Sequence, residues 1–304
     1  MINYKDLAII IKKNNDQKIC KVCRSSKLVM LAHTATCKNC GVLLNFPYTI
    51  PREIDYLEKI HSMEEIEEAQ KSCFDWHIKS KSQNHNNFTN MLLFCEKYMT
   101  RESNLDVLDY GGGGGQFSLV LKSLYPNSNS KIVDMNDLQL LNVFRPMNHQ
   151  IKFNEFEKNS DKFDFIFMND VFEHLTFPLE TLKLLSEKLK PNGKIFIDTP
   201  CTFWLYPLTK FFSKKIHKKL LNGTVDFDHQ QIWTKYSFYK ICSNSGYKVL
   251  KFKRLSEFTQ APSFYLDNMG IKNPVLRFLG SLFVLLSPLI SKNKIMSVLG
   301  KNDI

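Results

Sequence analysis

Four of the eight cysteines form two pairs whose spacing is typical of a metal site. The candidate ligands are Cys20, Cys23, Cys37 and Cys40, and 13 residues separate the two Cys-x-x-Cys pairs. Thiolates at this spacing hold Zn²⁺ in a tetrahedral arrangement, which leaves no coordination position open for a substrate. The sequence therefore predicts a structural zinc site. The alternative, a redox pair, needs a thioredoxin-like unit that the sequence does not show.

A run of five glycines at 111–115 follows a short apolar segment and precedes a helical stretch. In this layout the backbone N–H groups of the loop can approach a ligand closely. A phosphate-binding P-loop needs Lys where Gln116 stands, and the dinucleotide pattern G-x-G-x-x-G fails from every starting glycine. The pattern Asp-x-Gly-x-Gly-x-Gly does fit, at Asp109, Gly111, Gly113 and Gly115.

A second acid, Asp134, lies 19 residues after Gly115, at the end of the next apolar run. An acid at the end of the second strand can accept hydrogen bonds from both ribose hydroxyls of a nucleoside. The glycine loop and this acid together predict a cofactor that contains a nucleoside. The alternative is a flexible loop with a capping aspartate.

The segments that must position these residues alternate between short apolar runs and helical stretches. A helical stretch at 179–189 is expected to end at the Pro-Asn-Gly sequence 191–193. Alternation of this kind predicts right-handed crossovers and a parallel sheet. The apolar runs expected to form strands are 105–108, 131–133, 151–153, 163–168 and 194–197.

Three segments resemble motifs of the class I S-adenosylmethionine-dependent methyltransferases. Residues 107–118 resemble the first motif, 163–175 the fourth-strand motif, and 189–200 the fifth-strand region, where Asn192 replaces the usual first glycine. The resemblance covers 105–254. It implies an α/β fold: a Rossmann-like, mostly parallel seven-stranded sheet with helices on both faces. The cysteine pairs predict a small zinc-ribbon-like module in front of it. Residues 294–299 are expected to form the last, antiparallel strand.

The resemblance also implies a cofactor, S-adenosylmethionine, and a set of residues that hold it. Asp134 is expected to hold the ribose, Asn154 or Glu155 to lie near the adenine, and Asn169 to lie beside the methionine moiety. The residues expected at the amino-acid end of the cofactor are Asp109, Gly111, Gly113, Gly115 and Gln116.

Two histidines are candidates for the base that methyl transfer to a hydroxyl requires. His174 follows the fourth predicted strand, and His229 precedes a helix expected to start near Thr234. Imidazole is the usual choice near neutral pH. The alternative is that His174 caps or packs a loop and that His229 hydrogen-bonds to backbone.

The predicted organisation has three parts. Residues 1–50 form the zinc-binding module, 51–100 a helical linker or cap, and 101–304 the methyltransferase domain, with lid insertions near 203–230 and 256–291. The longest uncharged apolar stretch, 278–290, is 13 residues long and so too short to cross a bilayer. No secretion signal is evident, and we expect a cytoplasmic protein.

The positive charge is concentrated in the last third of the chain. Residues 1–200 contain 25 basic and 25 acidic side chains, whereas residues 201–304 contain 16 and 5, a net charge of +11. A basic amphipathic helix at 205–220 and the apolar stretch 274–290 are interpreted either as lids packed on the domain or as peripheral contacts with the inner, anionic face of the membrane. The charge itself indicates an anionic partner or simply a lysine-rich surface.

These features favour an enzyme that methylates oxygen on a small-molecule, sugar or lipid-linked glycan acceptor. An RNA methyltransferase is the alternative among enzymes, although nucleic acid is disfavoured by the scarcity of arginine. An inactive methyltransferase fold that serves as a binding protein is the alternative outside enzymes. The sequence leaves the acceptor atom and the oligomeric state open.

Overall fold

The structure is a computed structural model. Most of the predicted 51–100 linker and most of the predicted 203–230 lid, with its basic helix, lie outside the residues that it describes. The described residues are 4–31, 34–48, 87–135, 149–202, 229–256, 261–268, 270–290 and 292–302.

Helices and strands alternate along most of the described chain. The helices are α1 (Tyr4–Asp16), α2 (Gln116–Leu124), α3 (Phe153–Phe156), α4 (Pro178–Lys188), α5 (Lys235–Asn244), α6 (Pro262–Asn268) and α7 (Pro274–Ile290); residues 87–95 are also helical and continue into a 3₁₀ turn at Glu96–Tyr98. The strands are β1 (Leu28–Leu31), β2 (Thr34–Cys37), β3 (Leu43–Asn45), β4 (Asp106–Tyr110), β5 (Asn129–Val133), β6 (His149–Gln150), β7 (Phe163–Asn169), β8 (Leu189–Pro200), β9 (Gln231–Ile232), β10 (Tyr247–Leu255) and β11 (Lys294–Lys301).

The larger sheet has seven strands in the order β6-β5-β4-β7-β8-β11-β10. The first five are parallel to one another, and β11 is antiparallel to both of its neighbours. This confirms the predicted mostly parallel sheet and its last, antiparallel strand. The strand order reverses on either side of β4, and at such a point the carboxyl ends of the strands open a crevice for a ligand.

Both faces of this sheet are covered, as predicted. Because side chains alternate along a strand, Phe165 and Phe167 of β7 pack on one side with residues of 87–95 and α2. Ile166 and Met168 face the opposite side, where α4 and α5 pack. The near-continuous apolar composition of β7 follows from its burial on both faces.

Two element boundaries differ from the prediction. The strand expected at 151–153 is β6, which ends at Gln150, and α3 begins at Phe153. The backbone N–H of Ile151 still donates to the Ile132 carbonyl at 2.8 Å, so this apolar residue is buried beside β5 without extending the strand. The helix at 179–189 ends at Lys188, and the Pro-Asn-Gly sequence lies within β8 instead of forming a turn.

A second, four-stranded antiparallel sheet contains the cysteine motifs. Its order is β1-β2-β3-β9, so its last strand comes from residues 231–232, far along the chain. Leu43 pairs with Ile232 and Leu44 with Gln231, and the Asn45 N–H donates to the Gln230 carbonyl at 3.1 Å. The segment that follows His229 is therefore hydrogen-bonded to the N-terminal cysteine module.

Candidate functional site

The glycine loop begins where β4 ends, and its backbone takes left-handed conformations. The φ angles of Gly111, Gly113 and Gly115 are 77°, 49° and 90°, and these are the glycines of the sequence pattern. A Cβ at Gly111 would stand 2.4 Å from Cγ2 of Val171, so no side chain fits there. The loop therefore packs directly against the segment that follows β7.

Two carboxylates flank this loop. Oδ2 of Asp134 accepts a hydrogen bond from the Gly113 N–H at 2.8 Å, which ties the loop to the end of β5. Asp109 is 1% exposed, and burial, reinforced by the nearby charge of Asp134, raises the pKa of Asp109 to about 8. A buried acid of this kind is stabilised in its charged form only when a cation or further hydrogen-bond donors reach it.

Several buried polar atoms around the loop have no hydrogen-bond partner within the described part of the chain. They are Oδ2 of Asp109, Nε2 of Gln116, and both amide atoms of Asn169 at the end of β7. Buried polar atoms in folded proteins are nearly always paired, so this group fits a ligand with polar groups of its own. The amino-acid end of S-adenosylmethionine carries an ammonium and a carboxylate, and these donors and acceptors suit it.

Unlike the buried residues around the glycine loop, the residues predicted to contact the adenine are exposed. Asn154 and Glu155 are both exposed on α3, immediately after β6. Their position after the third strand of the order β4-β5-β6 is the expected one. That either of them contacts the adenine remains a prediction.

The two candidate bases lie next to each other. The ring centroids of His174 and His229 are 4.8 Å apart, with an edge-to-face angle of 69° between the planes. The His174 side chain is 31% exposed, so it can be reached by a substrate. Both rings are placed after the carboxyl end of β7, the edge on which the glycine loop also lies.

Backbone hydrogen bonds explain how residues 55 positions apart in the chain come together here. The N–H groups of Gln230 and Gln231 both donate to the Glu173 carbonyl, at 2.8 and 3.2 Å. The Gln231 side chain donates to the Phe172 and Leu175 carbonyls at 2.7 and 3.1 Å. These bonds fix the segment of His229 against the turn of His174.

A third residue of this cluster, Glu173, was not predicted. It is 1% exposed, and its Oε1 lies 3.8 Å from Nε2 of His174, while its Oε2 accepts a hydrogen bond from Thr199 Oγ1 at 2.8 Å. Burial raises the pKa of Glu173 to about 8. The sequence signal for Glu173 was its position next to His174 in the fourth-strand motif. The fold shows that it faces both histidines, because side-chain N and O atoms of Glu173, His174 and His229 all lie within 4.8 Å of one another.

The four predicted zinc ligands also come together. Their sulfur atoms all lie within 4.8 Å of one another; Cys20 is 3.8 Å from Cys40, and Cys23 is 3.5 Å from Cys37. Four sulfurs at ~2.3 Å from a tetrahedral Zn²⁺ are ~3.8 Å apart, and a disulfide needs ~2.05 Å. This geometry fits a metal site and excludes two disulfides.

The four thiols of the cluster share their protons unevenly. A hydrogen bond with Cys40 lowers the pKa of Cys20 to about 6, whereas burial raises the pKa of Cys37 to about 11 and the hydrogen bond with Cys20 raises that of Cys40, so the cluster holds one thiolate at neutral pH. The side-chain amide of Asn39 donates to the sulfur of Cys23 at 3.3 Å, which supports a negative charge there. Thiolates are the form in which cysteine binds Zn²⁺.

The buried Asp109 predicts how stability depends on pH in the absence of a cofactor. Its pKa is higher in the folded than in the unfolded chain, so between about pH 4 and 8 the folded state holds more protons. The free energy of unfolding is therefore expected to fall as pH rises through this window, by up to about 1.4 kcal/mol per pH unit from this group. In urea denaturation at pH 6, 7 and 8, Asp109→Asn is expected to show a smaller decrease; an unchanged slope would contradict a protonated Asp109.

Comparison with known proteins identifies the domain to which this site belongs. Residues 82–251, more than half of the chain, match the model of a family described as a methyltransferase domain. No curated protein matches the chain.

Solved structures with the same fold include several methyltransferases. A protein provisionally described as a sarcosine dimethylglycine methyltransferase from Galdieria sulphuraria is 12% identical, with a TM-score of 0.51 over 74% of this chain and 88% of that chain. A chain from the complex of the Haloferax volcanii Trm112 methyltransferase activator with its provisionally assigned methyltransferase is 14% identical, with a TM-score of 0.53 over 78% and 98%. Coclaurine N-methyltransferase, bound to N-methylheliamine and S-adenosylhomocysteine, is 16% identical, with a TM-score of 0.50 over 70% and 72%.

At such identities these structures show a shared fold, and the family match identifies the activity. The motifs at 107–118 and 163–175 lie within the matched region 82–251. The buried, unpaired atoms around the glycine loop fit the methyl donor of this family. The chain therefore belongs to the methyltransferase domain family and is an S-adenosylmethionine-dependent enzyme with a class I fold.

Proposed function

We propose that this enzyme transfers a methyl group to a hydroxyl of a small-molecule, sugar or lipid-linked glycan acceptor. The observation that carries the proposal is the cluster of His174, His229 and Glu173 beyond the end of β7, at the same edge of the sheet as the glycine loop. S-Adenosylmethionine, when bound, supplies a methyl group activated on a sulfonium, which an acceptor oxygen attacks in line. A hydroxyl must lose its proton in this reaction, and the histidines are suited to accept it.

The residues proposed to hold the cofactor lie around the glycine loop. Asp109 and Asn169 meet the ammonium and carboxylate of its amino-acid end, together with backbone groups of Gly111, Gly113, Gly115 and Gln116. Asp134 accepts from the ribose hydroxyls while keeping its bond to the Gly113 N–H. Asn154 is assigned to the adenine. The roles of Asp109, Gln116 and Asn169 are supported by their buried polar atoms without a partner in the described chain. Asp134 and Asn154 are assigned from their positions after β5 and β6.

In the proposed mechanism the exposed His174 accepts the acceptor proton. His229 contacts the His174 ring edge-to-face and orients it. Glu173 lies behind the pair in a buried position and accepts a hydrogen bond from Thr199. Its raised pKa keeps it protonated near neutral pH, and a positive charge that develops on the neighbouring imidazole favours its carboxylate form, which then stabilises the imidazolium. The enzyme thereby positions the acceptor and removes its proton, while most of the driving force resides in the donor.

The charge distribution supports an acceptor that carries phosphate. Residues 201–304 have a net charge of +11, which favours a sugar nucleotide or a lipid-linked glycan over a neutral molecule. RNA would also suit positive charge, but only two of the 16 basic residues in this part are arginines, the side chain that best recognises phosphate and bases. An acceptor screen with sugar nucleotides, lipid-linked glycans and RNA decides between these classes: methylation of RNA alone would overturn the proposal.

Substitution of the histidines tests the proposed proton transfer. His174→Ala is expected to lower turnover ~10²- to 10⁴-fold, the usual contribution of a general base. His229→Ala is expected to lower turnover less, because His229 only orients His174. The affinity for S-adenosylhomocysteine, measured by calorimetry, is expected to stay unchanged. His149→Ala, on β6 at the edge of the sheet, is the matched control. Full turnover of both variants with the true acceptor would show that neither histidine is the base.

The same cluster also has the composition of a site for a divalent metal ion, which gives the proposal a second test. A carboxylate with two imidazoles can bind Mn²⁺ or Zn²⁺. Proton transfer by the histidines predicts that turnover does not respond to added Mn²⁺ or Mg²⁺. Stimulation that is lost in Glu173→Gln would assign these residues to a metal ion instead.

We also propose that Cys20, Cys23, Cys37 and Cys40 bind a structural Zn²⁺. The sulfur separations support this assignment. Metal analysis of the purified protein is expected to find one zinc per chain. A metal-free chain that remains folded would contradict it.

A further inference from the structure

The helix α7 exposes large apolar side chains over most of its circumference. The exposed fractions of Phe278, Leu285 and Leu289 are 69%, 66% and 79%. Proteins in water rarely expose a continuous apolar surface of this size, and such a surface marks a binding site. Further exposed apolar residues on the same helix are Val275, Leu276, Leu279, Leu282, Phe283 and Leu286.

The side of α7 that packs on the protein is lined mainly by small residues, together with the buried Val284. A Cβ at Gly280 would stand 2.6 Å from Leu266 of α6, so the two helices are in close contact there. Ser287 is fully buried and its hydroxyl is 2.9 Å from that of Ser256. Helices that contact lipid often have small residues on the side that packs on protein and large apolar residues on the side that faces the lipid.

Positive charge frames this apolar surface. Arg277 of α7 pairs with Asp267, and the buried Lys294 pairs with Asp170 and Asp198, so the charge at this surface comes from other lysines. Lys272 and Lys292 are exposed just before and just after α7, and no charged residue lies between Phe278 and Ile290. Lysines at the ends of an apolar helix attract anionic headgroups while the apolar residues enter the acyl boundary.

The end of α7 leads directly to the candidate site. The carbonyl of Asn293 accepts from the Cys201 N–H at 2.6 Å, at the carboxyl end of β8. The next residue, Lys294, lies 2.9 Å from Asp170, three residues before Glu173. A surface that α7 contacts is therefore close to the edge of the sheet on which the glycine loop and the histidines lie.

We propose that α7 docks the enzyme on an anionic lipid bilayer, lying in the interface along the membrane surface. Within the described residues, no helix is long and apolar enough to span a bilayer. A second copy on this surface would place further lysines near Lys272 and Lys292, whereas anionic headgroups would neutralise them. Docking brings the candidate site to the headgroup region, where a lipid-linked acceptor lies. The link to a lipid-linked acceptor rests on the proposed function, whereas docking itself does not.

Vesicle flotation of the full-length, zinc-loaded protein without cofactor or acceptor tests the docking. We expect flotation with vesicles of phosphatidylcholine and phosphatidylglycerol, and roughly tenfold less with phosphatidylcholine alone or at high salt. Phe278→Glu/Leu285→Glu is expected to lower binding tenfold or more. The matched control is Ile9→Glu/Leu93→Glu, at two other exposed apolar positions, and it should bind like the unmodified protein.

The result that overturns the proposal is equally specific. Unchanged flotation of Phe278→Glu/Leu285→Glu, or no flotation of the unmodified protein, would exclude docking through α7. A dimer in sedimentation velocity that dissociates in this variant, without vesicle binding, would assign the surface to a second copy. Cofactor binding is measured separately by calorimetry. Absence of flotation therefore does not contradict the proposed methyl transfer, and absence of turnover does not contradict docking.

Discussion

Loss of the zinc ligands is expected to lower methyl transfer strongly while cofactor binding is kept. In Cys37→Ser/Cys40→Ser the N-terminal sheet loses its metal, and small zinc modules depend on the metal for folding. β3 then no longer pairs with β9, and the segment of His229 is released from one side. We expect turnover to fall ~10²-fold or more, the size of a general-base contribution, although no substituted residue touches the proposed acceptor site.

The expected retention of cofactor affinity follows from the location of the glycine loop. Asp109 lies on β4, Gly113 in the loop after β4, and Asp134 directly after β5; both strands belong to the other sheet. Calorimetry with S-adenosylhomocysteine is therefore expected to give the same affinity as the unmodified protein. Hydrogen exchange provides a readout apart from activity: the amides of Gln230 and Gln231, bonded to Glu173, should exchange faster.

Cys95→Ala is the control for this prediction, because Cys95 is a buried cysteine outside the zinc module. It should keep its zinc and its turnover. Normal turnover of the Cys37→Ser/Cys40→Ser chain, shown to lack zinc, would refute the proposed coupling between the module and His229. Loss of cofactor binding as well would indicate general unfolding.

Asp134→Ala is expected to lower the affinity for S-adenosylhomocysteine by ~10²-fold or more. The carboxylate is proposed to accept two hydrogen bonds from the ribose, and hydrogen bonds to charged groups are worth ~1.5–3 kcal/mol each. The same substitution also removes the partner of the Gly113 N–H, which loosens the loop. Asp134→Asn can still accept from Gly113 but lacks the charge, so an intermediate affinity is expected.

The control for Asp134 is another carboxylate paired with β5. Asp161 forms an ion pair with Lys131 at 2.7 Å and is not part of the glycine loop. Asp161→Ala should bind S-adenosylhomocysteine normally. Unaltered affinity in Asp134→Ala, in a folded and zinc-loaded protein, would mean that the ribose is held by other residues.

The sequence predicted the elements whose signals are local. The apolar runs at 163–168 and 194–197 became β7 and β8, since strands buried on both faces need continuous apolar composition. The pattern Asp-x-Gly-x-Gly-x-Gly located the left-handed positions of the loop, because few residues other than glycine accept those φ angles. The strand at 151–153 was misplaced, because a short apolar run does not distinguish a strand from the residues beside one.

Spacing in the sequence also determined the cysteine cluster and the choice of His174 and His229 as candidates. Only the tertiary structure decided that these histidines are neighbours, that Glu173 lies behind them, and that β9 joins the cysteine module. The pairing of β3 with β9 and the bonds from the Gln230 and Gln231 N–H groups to Glu173 use backbone groups, which no sequence pattern reveals; the Gln231 side chain adds two further bonds. The outward orientation of the apolar residues of α7 was likewise decided by packing, because their composition alone is equally compatible with a buried helix.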